Sequence, residues 1–254
     1  TAEGAQDEYC TIFEALPYNT SITTVAFGPG VTMEMLERIT AALKKSPHVV
    51  DVTIDKCQIG GLEVTESICD LLENPECRIT ALALENCGLG SEDVKELSQR
   101  LSKNQTMTSI SLAHNEIGNI GAKFLGQVLS NNSTIISHNL SFNKVGGTGT
   151  DKLVRLLSKN SALEKLDLSY NRISVKSPGD WNAFLTQNTS LKELSIGWNR
   201  LGASGTVTIA QGLAGNSTLT SLGIEGNNIG GEGAVAMQGV LEKNYSIISL
   251  GYND

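Results

Sequence analysis

Histidine is scarce in this sequence of 254 residues, which contains only His48, His114 and His138. No pairing of histidine with cysteine has the spacing that zinc sites use. No serine or cysteine stands in a nucleophile motif, and the glycine-rich stretches lack the lysine that follows in phosphate-binding loops. We therefore predict no catalytic centre, no metal site and no bound cofactor, and we expect no small-molecule substrate.

Long apolar segments are also missing. No run approaches the roughly 20 residues that a membrane-spanning helix requires, so we expect no membrane insertion. The first residues do not resemble a signal peptide. There are only five cysteines, and an odd number without the spacing of a disulfide framework predicts reduced thiols and a cytoplasmic protein.

Basic residues are too few to balance the acidic ones, and the net charge is −8. Residues 1–106 carry 17 acidic and 8 basic side chains, whereas residues 107–254 carry 10 and 11. An acidic N-terminal half argues against nucleic-acid binding, because a phosphate backbone attracts basic surfaces. The acidity is compatible with a basic partner protein and also with a role in solubility alone.

What the sequence does contain is a repeat with a constant period of 28 residues from Met107 onwards. In these units positions 1, 4, 6 and 11 are apolar, with His138 as the exception, and position 23 is leucine. Positions 9 and 26 are asparagine in every one of them. Self-similarity at a fixed period predicts a solenoid of stacked units.

Each unit is predicted to contain one strand and one helix. Alternation at positions 4 and 6, as at Leu166 and Leu168, indicates a short strand that must pair with its copies in a parallel sheet. Ala122, Leu125 and Leu129 fall at helical spacing in the second half of a unit. Strands stack about 4.8 Å apart and helices about 8–10 Å apart, so we expect an α/β horseshoe with the sheet on its concave face and helices on its convex face.

The unit resembles the leucine-rich repeat, whose pattern L-x-x-L-x-L-x-x-N/C-x-L is matched by LEKLDLSYNRI at residues 163–173. Its length resembles that of the ribonuclease-inhibitor-like subclass. Residues 1–21 are expected to form an N-terminal helix or partial repeat, and residues 22–254 one leucine-rich-repeat domain. We number its eight full repeats one to eight, starting at residues 22, 49, 79, 107, 135, 163, 191 and 219, and expect a partial ninth. The last unit shows no polar cap, so we expect a longer chain or a partner to cover that end.

Two residues depart from the repeat pattern inside the predicted core. His138 stands where Ile110 and Leu166 stand in other units, and we expect a neutral, hydrogen-bonded imidazole, with pH sensing as the alternative. Trp181 stands where other units have Leu, Ile or Met, and we expect it in the core rather than in a ligand site.

The candidate site lies at positions 8 and 10, which should line the strand-end rim of the concave face. Position 8 brings a run of aromatic side chains into register, and position 10 places cations beside them. Such groups are typical of binding hot spots, although a purely structural ladder of stacked rings is the alternative. The predicted partner-binding residues are His114, Phe142, Tyr170, Trp198, Lys144, Arg172 and Arg200.

The resemblance implies a non-catalytic protein–protein interaction scaffold, because this fold serves many different partners. We expect a cytoplasmic subunit or regulatory module of a larger intracellular assembly, for example a cytoskeletal, axonemal or cilium-associated one. One alternative is a GTPase-activating protein resembling the Ran GTPase activator. Others are the ligand-sensing repeat region of a NOD-like receptor and an extracellular recognition receptor.

Overall fold

The computed structural model describes residues 12–57 and 61–251, and its strands within these ranges belong to one sheet. Most strands are only three residues long, so each depends on its neighbours for backbone hydrogen bonds. The strands are β1 Thr24–Phe27, β2 Asp51–Asp55, β3 Ala81–Glu85, β4 Ser109–Ser111, β5 Ser137–Asn139, β6 Lys165–Asp167, β7 Glu193–Ser195, β8 Ser221–Gly223 and β9 Ser249–Gly251.

Helices alternate with the strands, and a short 3-10 helix at Leu16–Tyr18 precedes β1. In the described part of the chain no helix is long and apolar enough to cross a membrane. The element predicted at residues 1–21 falls partly on residues 1–11, which lie outside the described ranges. The α-helices are α1 Met33–Lys44, α2 Leu62–Glu73, α3 Ser91–Leu101, α4 Gly118–Leu129, α5 Gly147–Leu157, α6 Pro178–Gln187, α7 Gly202–Leu213 and α8 Gly230–Leu241.

The strands are parallel and follow one another in sequence order from β1 to β9. Equivalent repeat positions face each other, so that Ile110 pairs with His138 and His138 pairs with Leu166. Since side chains alternate between the two faces of a strand, this register places every position 4 on the same face. The predicted α/β solenoid is confirmed.

The core lies between the sheet and the helices. In α1, Leu36, Ile39 and Leu43 recur at helical spacing and are buried, and Thr32 begins this helix by accepting the Met35 N–H at its Oγ1 (3.3 Å). Trp181 of α6 is fully buried, which confirms its predicted place in the core. Burial of each large apolar side chain stabilises the fold by roughly 1.5–3 kcal/mol.

Asparagine side chains at position 9 connect neighbouring units through their amides, as the hydrogen-bonding capacity of the amide allows. Asn171 is buried, and it bonds five backbone groups in its own unit and the preceding one. Its Nδ2 donates to the carbonyls of Leu140, Leu168 and Ser169, and its Oδ1 accepts from the N–H groups of Asn143 and Val145. Such bonds fix the turns after β4 to β8, the strands that asparagine follows at this position.

A second asparagine column at position 26 closes the units. The Nδ2 of Asn188 donates to the carbonyls of Leu157 and Asn160, both at 3.0 Å, and its Oδ1 accepts from the N–H of Leu191 at 2.8 Å. Asn188 is buried, although it begins an Asn-x-Ser/Thr sequence. The glycosylation-like motifs at this position therefore reflect the hydrogen bonding of the repeat.

Candidate functional site

The backbone at position 8 has one conformation in units two to eight. Its φ angle lies between 51° and 64° in all seven residues, which is the left-handed region. Glycine and asparagine tolerate this region, whereas a bulky side chain there costs about 1–2 kcal/mol. The residues are Lys56, Asn86, His114, Phe142, Tyr170, Trp198 and Gly226.

Because the backbones match, the rings of four successive units project in the same direction and stack. Ring centroids lie 3.9 Å apart for His114 and Phe142, 4.1 Å for Phe142 and Tyr170, and 5.5 Å for Tyr170 and Trp198. The planes deviate from parallel by 8–13°. We call His114, Phe142, Tyr170 and Trp198 the aromatic column.

Stacking covers ring faces but leaves ring edges open. Phe142, Tyr170 and Trp198 remain 39%, 43% and 49% exposed. At one end the indole of Trp198 lies over Gly226, where an added Cβ would come within 2.7 Å of the indole carbons. At the other end His114 borders an open groove of about 570 Å³ lined also by Lys56 and Asn86.

The cations predicted at position 10 differ in their pairing. Lys144 forms an ion pair with Glu116 of the preceding unit, with Nζ and Oε1 2.7 Å apart. Hydrogen bonding and the charge of Lys144 lower the pKa of Glu116. Arg172 and Arg200 are exposed, and neither forms a salt bridge with another described residue.

Charges on the sheet face compensate one another between neighbouring strands. Lys165 pairs with Glu193 and Lys192 pairs with Glu164, both at 2.8 Å. These pairs are two-fifths to three-fifths exposed and contribute little to stability. These four opposite charges therefore neutralise one another within the molecule.

The sequence interpretation missed the ion pair between Glu116 and Lys144. Its signal was available, because opposite charges 28 residues apart occupy equivalent positions of neighbouring units. The same rule finds the pair between Glu164 and Lys192. The contact between Trp198 and Gly226 was also missed, because the glycine at position 8 does not indicate that the ring of the preceding unit covers it.

Reactive groups are few in the described part of the chain. It holds no cluster of three or more His, Cys, Asp or Glu side chains arranged for a metal ion. Cys57, Cys69, Cys77 and Cys87 are buried free thiols. Burial raises the pKa of Cys69 and of Cys87 to about 12, which keeps these thiols protonated and unreactive at neutral pH.

Comparisons with known proteins agree with the repeat architecture. A family model described as Leucine Rich repeat matches residues 103–126, 187–210 and 215–237, and another described as Leucine Rich Repeat matches residues 162–184. No curated protein matches the chain.

Among solved structures, the leiomodin-1 actin-binding site 2 (ABS2) is 20% identical, with a TM-score of 0.41, and the match covers 67% of this chain and 82% of that one. A pollen receptor kinase 3 is 21% identical, with a TM-score of 0.45, and the match covers 71% of this chain and 74% of that one. Likeness at this level carries no inference about function.

Proposed function

This chain is a leucine-rich-repeat protein, and we propose that it is a non-catalytic scaffold that binds a protein partner through the aromatic column and the neighbouring cations. One observation carries the proposal. Three large aromatic side chains stay 39–49% exposed at a backbone position that strains them. Exposed aromatic side chains beside arginine are typical anchors of protein–protein interfaces.

The stacking energy of the rings does not by itself explain why aromatic residues occupy position 8. Each left-handed aromatic residue costs about 1–2 kcal/mol. Each stacked pair returns about 0.5–1.5 kcal/mol beyond the burial of ring area, so stacking as such does not outweigh the strain. Asn86 or Gly226 fill the same position with less strain. Strained residues and exposed apolar surface that bring folding little advantage are found at binding sites.

The rigidity of the column also supports binding. The Asn143 N–H donates to Oδ1 of Asn171, and the Ile173 N–H donates to Oδ1 of Asn199, so the turns that carry Phe142 and Tyr170 are held by buried bonds. A surface that is ordered before binding loses little conformational entropy when a partner arrives. A column of fixed rings is thus suited to repeated, specific contact with a protein.

For the cellular setting we favour a subunit or regulatory module of a larger intracellular assembly, of the cytoskeletal or axonemal kind. The free thiols of the four described cysteines support an intracellular setting, because cysteines stay reduced there. The competing function is activation of a Ran-type GTPase. GTP hydrolysis by such a GTPase, measured with and without this chain, separates the two, since a scaffold leaves the rate unchanged.

The test of the binding surface is partner capture with the triple variant Phe142→Asn/Tyr170→Asn/Trp198→Asn. Asparagine is chosen because Asn86 adopts the same left-handed backbone, with a φ of 51°. The control is Ile120→Asn/Val235→Asn, which removes side chains that are 59% and 69% exposed on the helices. Cross-linked partners from source cells are compared by quantitative mass spectrometry.

We expect at least one partner to be lost from the column variant and kept by the helix control. Circular dichroism and the melting temperature must first show that both variants are folded. Identical partner sets for the wild type and a folded column variant would make the column structural and the proposal wrong.

A further inference from the structure

Two arginines on the rim lack acidic partners among the described residues. Arg172 and Arg200 occupy position 10 of adjacent units and are exposed. No carboxylate of the described residues lies within 4.0 Å of either guanidinium. The equivalent Lys144 is neutralised by Glu116 at 2.7 Å. Among the described residues, the rim beside Tyr170 and Trp198 therefore carries two cations without an ion-pair partner, which we call the arginine pair.

The aromatic column favours a negatively charged ligand, as the arginine pair does. An aromatic ring is negative over its faces and positive at its edges. The faces of Phe142 and Tyr170 are occupied by neighbouring rings at 3.9–5.5 Å, and one face of Trp198 lies against Gly226. A cation of a partner therefore finds few free faces, whereas an anion meets positive edges and guanidinium groups together.

The chemistry of the guanidinium group indicates which anionic group the ligand carries. An arginine stays protonated at any physiological pH, and its planar donors fit a carboxylate in a bidentate manner. The rim also belongs to residues 107–254, which carry 11 basic and 10 acidic side chains, and so it lies away from the acidic half of the chain. Long-range repulsion of an acidic ligand is weak there because salt screens charges beyond about 10 Å.

We propose that the arginine pair binds an extended acidic segment of the protein partner, with carboxylates at alternate residues. This inference rests on the proposed function and names the chemistry of the partner. Neighbouring units repeat every 4–6 Å along the column, as the ring centroids show (4.1 and 5.5 Å). Alternate residues of an extended chain lie about 6.7 Å apart, and two long arginine side chains bridge the difference.

The test uses labelled peptides and fluorescence anisotropy at about 50 mM salt, where charge contacts are weakly screened. The probes are decapeptides that alternate serine with glutamate, with glutamine or with lysine, and an oligothymidylate of similar length. Arg172→Gln/Arg200→Gln is compared with Arg155→Gln/Lys159→Gln. The control variant removes the same two charges from exposed residues at the C-terminal end of α5.

We expect binding of the glutamate peptide alone, weakened about tenfold by the arginine-pair variant and less than about twofold by the control. Equal weakening by both variants would mean that peptide binding depends only on the net charge of the protein, and this result would overturn the inference. Tighter binding of the lysine peptide or of the oligothymidylate would overturn it as well, and so would no detectable binding of the glutamate peptide at about 1 mM.

Failure of this inference is distinct from failure of the proposed function. If the arginine-pair variant keeps the captured partners and the Asn variant of the aromatic column loses them, partner binding through the column stands, whereas the contribution of the arginine pair and the acidic segment are wrong. If both variants lose the same partner and the glutamate peptide binds as expected, both proposals hold.

Discussion

The imidazole Nδ1 of His138 lies 3.1 Å from the carbonyl oxygen of Ile110, its partner in the adjacent strand. A bond to a carbonyl requires a proton on Nδ1, so Nε2 is the unprotonated nitrogen of the neutral ring. Nε2 is buried and has no hydrogen-bond partner among the described residues. Burial lowers the pKa of His138 to about 4, against the smaller opposing effect of the carbonyl. The neutral, hydrogen-bonded core histidine agrees with the sequence prediction.

The first prediction is that His138 makes the protein acid-sensitive. Below pH 6.5 the unfolded chain binds a proton at this histidine, whereas the folded chain excludes it until the pH reaches about 4. His138 therefore costs the fold no free energy of unfolding well above about pH 6.5. As the pH is lowered, the free energy of unfolding falls, by about 2–3 kcal/mol at about pH 4.5. Urea unfolding of the wild type and of His138→Leu at about pH 7 and pH 4.5 measures this difference. Equal losses in the two proteins would assign the acid sensitivity to other groups.

The second prediction concerns Trp181 and Asp151, which connect α6 to α5. The indole Nε1 donates to Oδ1 of Asp151 at 3.0 Å, and burial raises the pKa of this carboxyl. Trp181→Phe removes the donor and leaves a buried carboxylate poorly satisfied, so we expect the free energy of unfolding to drop by about 1–3 kcal/mol. Urea unfolding at neutral pH measures it.

The matched variant is Trp181→Phe/Asp151→Asn. A neutral amide needs no compensating charge, so the second change should recover part of the loss. If the double variant is as unstable as Trp181→Phe, the loss comes from the smaller ring leaving a cavity, and the hydrogen bond contributes little.

The third prediction ranks two substitutions of Asn171. Asn171→Ala breaks five bonds to buried backbone groups, and we expect a loss of at least about 3 kcal/mol. Asn171→Cys should cost less, because Cys87 at the same position donates from Sγ to the carbonyl of Glu85 at 3.1 Å. Thermal and urea unfolding rank the variants. Equal losses would mean that the thiol replaces none of the amide's function.

Much of the fold follows from the constant period. When equivalent positions of neighbouring units pair, residue Ile110 must meet His138, and the burial of one position predicts the burial of all its copies. This is why the strands, the inward histidine and the buried Trp181 were predictable. The same logic places Lys144 beside Glu116, although only a search for opposite charges one period apart reveals it.

The stacking of neighbouring rings was expected as one of the two interpretations of position 8, but the left-handed backbone that carries the rings did not follow from the sequence. Position 8 holds residues as different as Lys56, Phe142 and Gly226, so its composition does not indicate a left-handed backbone. Only that shared conformation aligns the rings face to face and turns their edges outward. That Arg172 forms no ion pair with a described residue could not be predicted either, since long side chains reach acidic groups on several neighbouring elements.

The last prediction tests whether Trp198, at one end of the aromatic column, packs against Gly226. Gly226→Ala introduces a Cβ at a φ of 64° and within 2.7 Å of the Trp198 ring, so the ring must move away. Gly202→Ala is the matched control, because Gly202 has a φ of 65° and open space around its Cβ position. We expect both variants to lose about 1 kcal/mol from backbone strain. Only Gly226→Ala should increase acrylamide quenching of tryptophan fluorescence, since the other tryptophan, Trp181, is fully buried. Equal quenching in the two variants would show that Trp198 does not rest on Gly226 in solution.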